Sequence, residues 1–396
     1  MAAKTSTKSA ARKLRGDEDF DGLDRSVASL PASWYFDPDW YQHELERIFY
    51  RSWLYLCHAS TLGEARAFRR FRIGTQEIVV LRDGDGVLRG FHNSCRHRGS
   101  ILCQPESGRL RGKLLVCPYH QWSYALDGEL VATSSMREAP DFDKADFPLY
   151  PVAVQEWRGG IFVSLLDDPP DLASGFERGS DRIDHWPMES LRVGHRWNKT
   201  MQCNWKVFWE NFNECLHCPN IHPELCELVP IYGRRISGVR DAPDWQEHAD
   251  SDDPKYAGGL RAGANSWSSS GQACGPTFPE LTPAEIARGQ SYFVSLPSVF
   301  IACHVDYMRT VRILPTGPEQ TEIEVEWLFQ PETLARADFD MDDVTEFAKL
   351  VMQQDAEASE MNQQGLHARR FEQGVLMPEE HYVKSFQDWV REQTGS

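Results

Sequence analysis

Two regimes of hydrophobic patterning divide the chain. From about 49 to 165 the apolar residues come in short runs broken by turn formers: 77–81 before Asp83-Gly84-Asp85-Gly86, 113–117, and a further run before Asp127-Gly128. Such runs predict strands joined by tight turns, and hence a small, mostly β domain. The character changes after Asp167-Asp168-Pro169-Pro170. Residues 202 to about 216 read as helix, 292–303 and 309–314 as apolar strands, and about 342–371 as a long helix. Within 321–329 apolar and acidic residues alternate, which predicts a strand with Ile323, Val325 and Leu328 or Trp327 on a core and the acids facing out. The stretch 241–272, rich in Gly, Ser, Asp and Ala, is expected to be a long loop over a site or an insertion. A sheet backed by helices suits this half, so the fold class is α+β.

Length and composition narrow the function. With 396 residues, 41% of them hydrophobic, the chain suits two or three domains. No apolar run approaches the ~18 residues of a membrane span, and the start lacks the apolar stretch of a secretory signal. The acid-free, basic start Met1–Arg15 is expected to be a disordered tail, a short transit peptide being the other reading. A net charge of −17 argues against a nucleic-acid partner. Ten cysteines are too few for a disulfide scaffold, and several sit beside histidines, which suggests metal rather than cross-links and a cytoplasmic protein. No repeat of 20–50 residues is visible.

Cys95-Arg96-His97 is followed, after 19 residues, by Cys117-Pro118-Tyr119-His120. Two facing loops of this kind offer two thiolates and two imidazoles, a set that suits an iron–sulfur cluster or zinc. Zinc fingers keep cysteine with cysteine, whereas each half here pairs one Cys with one His. With Arg98-Gly99, Gln121-Trp122 and Asp127-Gly128 around them, the two boxes resemble those of Rieske ferredoxin domains. The resemblance implies a Rieske-type [2Fe–2S] cluster held by Cys95, His97, Cys117 and His120, with the cysteines on one iron and the histidines on the other. Cys103 lies outside the pattern and reads as a small buried hydrophobe.

Further on, Glu210, Glu214 and His217 fall at i, i+4 and i+7, one face of a helix that Pro219 should end, so that His222 can turn back toward His217. Taken alone, these histidines could simply cap or hydrogen-bond, or Cys215, Cys218 and Cys226 could bind zinc with one of them. Glu210-Asn211, Glu214, His217 and His222 nevertheless resemble the E-N-x-x-[D/E]-x-x-H-x-x-x-x-H pattern of Rieske oxygenase catalytic domains. Asp355, Glu360, Gln363 and Gly365-Leu366 resemble that family's C-terminal helix. The resemblance spans about 34–371. It implies a tail and helical lead-in at 1–48 packing on the catalytic domain, a Rieske β domain at 49–165, and a helix-grip catalytic domain at 166–396. Mononuclear Fe(II) would be held by His217, His222 and Asp355, with Glu357 a weaker alternative to Asp355.

The same resemblance implies a head-to-tail homotrimer. In it Glu214 would bridge His217 to His120 of the next subunit, and Asn211 would support the iron. The substrates are O₂ and a small molecule. Lacking a G-x-G-x-x-G fingerprint and a plant-type ferredoxin motif, the chain would draw electrons from a separate NAD(P)H reductase, with or without a ferredoxin. Asn213 to Pro219, His222 to Cys226 and 291–307 are similar to the glycine betaine and stachydrine demethylase branch, which points to oxidation of a quaternary ammonium compound. An aromatic cage would then draw on Trp209, Phe212, Trp267, Phe293, Phe300 or Tyr307. A ring-hydroxylating mono- or dioxygenase, with Arg309 or Arg312 anchoring a carboxylate, is the alternative. A Rieske electron carrier is a third reading, but it would need only the first 165 residues and bind two irons instead of three.

Overall fold

The computed structural model describes residues 21–176 and 179–396; the basic tail at 1–15 lies outside the described residues. The chain is α+β, a β-rich first half followed by a sheet under helices. In the first half, Leu54–His58, Gly160–Ser164 and Ala153–Trp157 form one sheet, and Leu88–His92, Gln76–Arg82, Ala67–Ile73 and Ser107–Arg109 a second. Leu114–Val116, Ser123–Ala125 and Leu130–Ala132 make a third, small one. The turns fall where the sequence places them. Asp83 Oδ1 accepts from Asp85 N (3.0 Å) and Val87 N (2.9 Å), closing the hairpin after Arg82. Gly128 closes the next turn at φ +99°, where a Cβ would lie 2.6 Å from the Phe91 ring. Only glycine fits both the angle and the space.

The second half centres on a five-stranded antiparallel sheet ordered Arg192–Met201, Gln320–Phe329, Tyr307–Gly317, Val299–His304, Gln290–Ser295. Its front face carries Ala302, Val311, Ile323, Val325 and Trp327 into a core shared with the helices Trp205–Phe212 and Met341–Leu366. Its back face carries Ile301, Met308 and Leu328 against Tyr55 and Phe162 of the first half. Before the first half begins, Val27–Pro31 pairs with Gln373–Leu376. The helix Pro38–Glu44 then sets Glu44 against Lys206 at 2.6 Å, both side chains 0% exposed.

Several expectations need correction. The acids of 321–329 do not all face out: Glu324 and Glu326 are 2% and 1% exposed. The first half covers the back face and brings one cation, Arg69, to join Arg196 and Arg312 of the sheet itself. Arg69 holds Glu324 through two bonds (3.0 and 2.8 Å), Arg196 reaches Glu326 at 2.8 Å, and Arg312 lies 3.4 Å from Glu324. His58 N donates to Glu326 as well (2.7 Å). Arg312 is thereby committed to the domain junction and is no substrate anchor. The helix expected over 202–216 runs only from Trp205 to Phe212, because Asn213 caps it and Glu214 turns its carboxylate onto the N–H groups of Leu216 and His217. That side chain takes the place of the next helical turn. Glu214 and His217 therefore do not continue the helical face of Glu210, and Pro219 opens a new short helix, Cys218–Ile221, instead of merely ending one. Finally, residues 292–303 form parts of two strands, joined at Leu296-Pro297-Ser298.

Candidate active site

The two Cys–His boxes sit on neighbouring turns of the first half. Cys95 and Cys117 are 2% and 1% exposed, within an apolar core of their own that includes Cys103, a buried hydrophobe as expected. His97 is exposed and His120 half-buried, their rings 4.8 Å apart, and Trp122 stacks on His97 at 4.9 Å. Burial raises the Cys117 thiol, but N–H groups of His120 and Tyr119 aim at its sulfur and bring it below its ordinary value. Burial raises Cys95, against the hydroxyl of Tyr124 at 3.3 Å and the His97 N–H. Paired sulfurs inside and paired imidazoles outside suit a two-iron cluster with unlike ends. Tyr124 escaped the sequence reading, since a tyrosine in a three-residue strand carries no distinguishing signal.

The second constellation lies where the Met341–Leu366 helix passes the turn after Phe212. The ligating atoms of His217, His222 and Asp355 all fall within 4.8 Å of one another. Asp355 Oδ1 is 2.8 Å from His222 Nε2 and 3.4 Å from His217 Nε2, and it accepts from Asn211 Nδ2 at 2.7 Å. Burial pulls His217 down, but its bonds to Asp355 and Glu214 raise it to about 9. Burial opposes the ionisation of Asp355, yet the two histidines hold it well below the usual carboxylate range. This is a cation-favouring site, and a divalent metal fits the field that otherwise retains a proton. Two imidazoles and one carboxylate on one side match non-haem iron with open positions.

Orientation comes from a second ring of contacts. Glu214 Oε1 lies 2.5 Å from His217 Nδ1, and Gln354 Oε1 lies 2.8 Å from His222 Nδ1. Each holds its ring by Nδ1, which would leave Nε2 to take a metal. Gln354 was not anticipated; it merely precedes Asp355, and only the helix's placement shows its reach. Glu360 and Gln363 accept from Gln202 N (3.0 Å) and Asn204 N (2.9 Å), tying this helix to the start of the Trp205–Phe212 helix. Glu357 is exposed and bonded to Gln353, so it is no ligand. Cys215 and Cys218 form a disulfide, contrary to the expectation of metal over cross-links. The short turn brings their Cα atoms to 5.0 Å, and the zinc alternative loses two of its three thiolates.

Of the aromatic candidates, Phe212 stacks on Phe300 at 4.4 Å immediately beside Asn211. Trp209 is fully buried and spends its indole N–H on Pro297 O (2.8 Å). Phe293 points to the back face, against Trp157 and Phe176; its neighbour Tyr292 takes the front, 6.2 Å from Phe212. Trp267 and Tyr307 flank His304, at 5.3 and 4.4 Å.

A β domain presenting two Cys–His loops, joined to a helix-backed sheet presenting a two-histidine, one-carboxylate site, is the organisation of a Rieske oxygenase. Residues 52–148 match the Rieske [2Fe-2S] domain, and 188–396 match the ring hydroxylating alpha subunit catalytic domain. The chain belongs to this family. It is 30% identical to the glycine betaine monooxygenase oxygenase subunit of Chromohalobacter salexigens, over 98% of this chain and 88% of that one. It is 27% identical to the chloroplastic choline monooxygenase of Beta vulgaris, over 99% and 83%. Among solved structures, the quaternary ammonium Rieske monooxygenase CntA in complex with L-carnitine shares the fold at a TM-score of 0.71 and 22% identity, over 97% of this chain and 99% of that one. Naphthalene 1,2-dioxygenase from Rhodococcus sp. does so at 0.70 and 21%, over 93% and 95%. The chain is thus the oxygenase component of a Rieske system, an O₂-using oxidoreductase with a [2Fe–2S] cluster and a mononuclear iron. No helix among the described residues is long and apolar enough to cross a membrane.

Proposed function

We propose that this oxygenase hydroxylates a carbon bonded to the nitrogen of a small quaternary ammonium compound. Cys95, His97, Cys117 and His120 hold the cluster, and His217, His222 and Asp355 hold the iron. The observation that carries the substrate class is the aromatic wall beside the triad. Phe212 follows Asn211, whose amide bonds Asp355, and Phe300 and Tyr292 extend the wall across the sheet. Ring faces attract a methylammonium group without a formal charge that would bind it too rigidly. The names of the similar glycine betaine, choline and carnitine monooxygenases agree with this reading.

Iron, when bound, supplies O₂ activation with two electrons delivered from outside the chain. The residues position the substrate, keep the site dry and hold each histidine in one tautomer. Substrate C–H, O₂, two electrons and two protons give C–OH and water. On a methyl next to nitrogen, the new C–OH collapses to the amine and formaldehyde, and on another carbon to the amine and a different aldehyde.

The electrons come from a separate NAD(P)H reductase, and the working form is a cytoplasmic homotrimer. Within this chain Glu214 reaches His217 and the local backbone, and no cluster histidine is among its partners. Exposed apolar residues occur near both ends of such a contact. Tyr119, Val116 and Met136 lie in the cluster-bearing half; Met361, Phe371 and Val375 lie in the catalytic half, the last two lining the same cleft as Glu214. Head-to-tail packing covers both patches and brings His120 of the next subunit to Glu214.

Single turnover of the reduced holoenzyme with O₂ tests the reaction, using glycine betaine, choline, carnitine and stachydrine beside benzoate, salicylate and phthalate. Amine and aldehyde formed in proportion to cluster oxidised, only with the ammonium compounds, is the expected result. Hydroxylated arene without either product would overturn it.

A further inference from the structure

The sheet's back face neutralises every cation it buries, but its front face does not. Arg309 is 6% exposed and sits opposite Ala302 on one side and Trp327 on the other, on the front face with Tyr307 and Val311. Its Nε has no hydrogen-bond partner, and no carboxylate among the described residues pairs with its guanidinium. Arg69, Arg196 and Arg312, on the other side of the sheet, all pair with Glu324.

Arg309 is not the only unsatisfied group there. Its charge acts on His304, which is 0% exposed and has neither ring nitrogen bonded. Burial first, and Arg309 second, hold His304 well below its ordinary value, so it is neutral and offers one N–H. Beside it the indole N–H of Trp267, a residue 4% exposed, also lacks a partner. The hydroxyl of Tyr307 is already spent on Trp267 O (2.7 Å). A buried guanidinium without a counter-ion is costly, and unbonded donors beside it add to the cost. The chemistry that satisfies such a group of donors is a ligand that only accepts, and a carboxylate does so with charge-assisted bonds.

The place lies on the same face of the sheet as the ring stacked on Phe212. Arg309 lies opposite Ala302, and Phe300, two residues back along that strand, is roughly 7 Å away at the rise of a strand. Phe300 carries the stack on Phe212 beside Asn211 and Asp355. A cation against these rings and an anion at Arg309 would thus be separated by only a few bonds.

We propose that Arg309, with Trp267 and His304, is the anion subsite of the substrate pocket, so that the substrate is a zwitterion bearing a carboxylate as well as its methylated ammonium, not a simple cation. The inference rests on the ammonium reading above and specifies its substrate class.

Calorimetric titration of the anaerobic holoenzyme with glycine betaine and with choline tests it, in the unsubstituted protein, Arg309→Gln, Arg309→Lys and Trp267→Phe. The unsubstituted protein is expected to bind betaine more tightly than choline. Arg309→Gln should cut that preference about 10- to 100-fold, the worth of one charge-assisted bond. Arg309→Lys should restore part of it, and Trp267→Phe, which keeps the ring surface and removes one donor, should lower it by a smaller factor. Cluster absorbance and iron content report folding, and Trp267→Phe decides should Arg309→Gln not fold. An unchanged preference in a folded variant, or equal weakening of both ligands, overturns the subsite. Failure of the unsubstituted protein to bind or oxidise any ammonium compound is a different result: it sinks the ammonium reading, and this inference with it.

Discussion

Replacing Glu44 by Gln takes from the buried Lys206 the carboxylate it is paired with and leaves only the charge of Glu210, which is not in contact with it, and the cost can be bounded from the structure. The pair is 2.6 Å apart and 0% exposed on both sides, with the indoles of Trp40 and Trp205 completing the contacts of the carboxylate (2.9 and 2.8 Å). Removing one partner of such a pair typically costs about 3–5 kcal/mol. The upper bound follows from Lys206 itself. Burial draws it below its usual 10.5, and Glu44 opposes that shift. With Gln at 44 the folded-state value falls further, and the chain escapes the unpaired charge by releasing the proton. At pH 7 that release costs about 5 kcal/mol, at about 1.4 kcal/mol per pH unit up to 10.5.

The sign follows directly. Between the lowered folded value and 10.5 the unfolded chain binds the extra proton, so the variant's unfolding free energy recovers as pH rises through that window. Urea unfolding at pH 7, 8 and 9, followed by tryptophan fluorescence and by cluster absorbance, should show a loss of about 3–5 kcal/mol that shrinks toward pH 9. Adding Lys206→Met should return most of the stability, since the buried ammonium is gone and Glu210 keeps its bonds to Tyr35 and Gln387. A loss below about 1 kcal/mol, or one independent of pH, would refute the reasoning. Because Lys206 opens the helix that ends at Asn211 and Phe212, the single variant should also hold its iron less firmly than the double.

Glu214→Gln keeps a hydrogen bond to His217 but not the charge that would link two subunits; both metals should remain while product formed per O₂ consumed falls sharply, and normal coupling would exclude a bridge. Gln354→Leu frees the His222 ring and should weaken iron binding about 10- to 100-fold in a chelator competition, with cluster absorbance unaltered. Gly128→Ala sets a Cβ 2.6 Å from Phe91 at a positive φ, and should lower the melting temperature of the cluster absorbance while the mononuclear iron stays bound.

What the sequence disclosed follows from how each feature is encoded. Cys95 to His97, Cys117 to His120 and His217 to His222 are brought together by local chain geometry, so their spacing carried the signal. Asp355 lies more than a hundred residues away, and only a family pattern pointed to it. The helix end at Phe212 was missed because helical spacing cannot show that a carboxylate such as Glu214 will take the N–H groups of the next turn.

The sheet shows a more general limit. Alternation along 321–329 marks two faces but not what covers each, and an acidic face reads as solvent-facing by default. Here the covering element is another part of the chain that brings Arg69, so Glu324 and Glu326 are buried and paired. The same ambiguity of face put Phe293 in place of Tyr292 among the aromatic candidates. It also explains why two arginines in one strand, three residues apart, have different fates. Arg312 points back into the domain junction, where Glu324 meets it, and Arg309 points forward, where no acid among the described residues does. An odd spacing in a strand separates their faces, and the partner each face meets separates structural charge from charge available to a ligand.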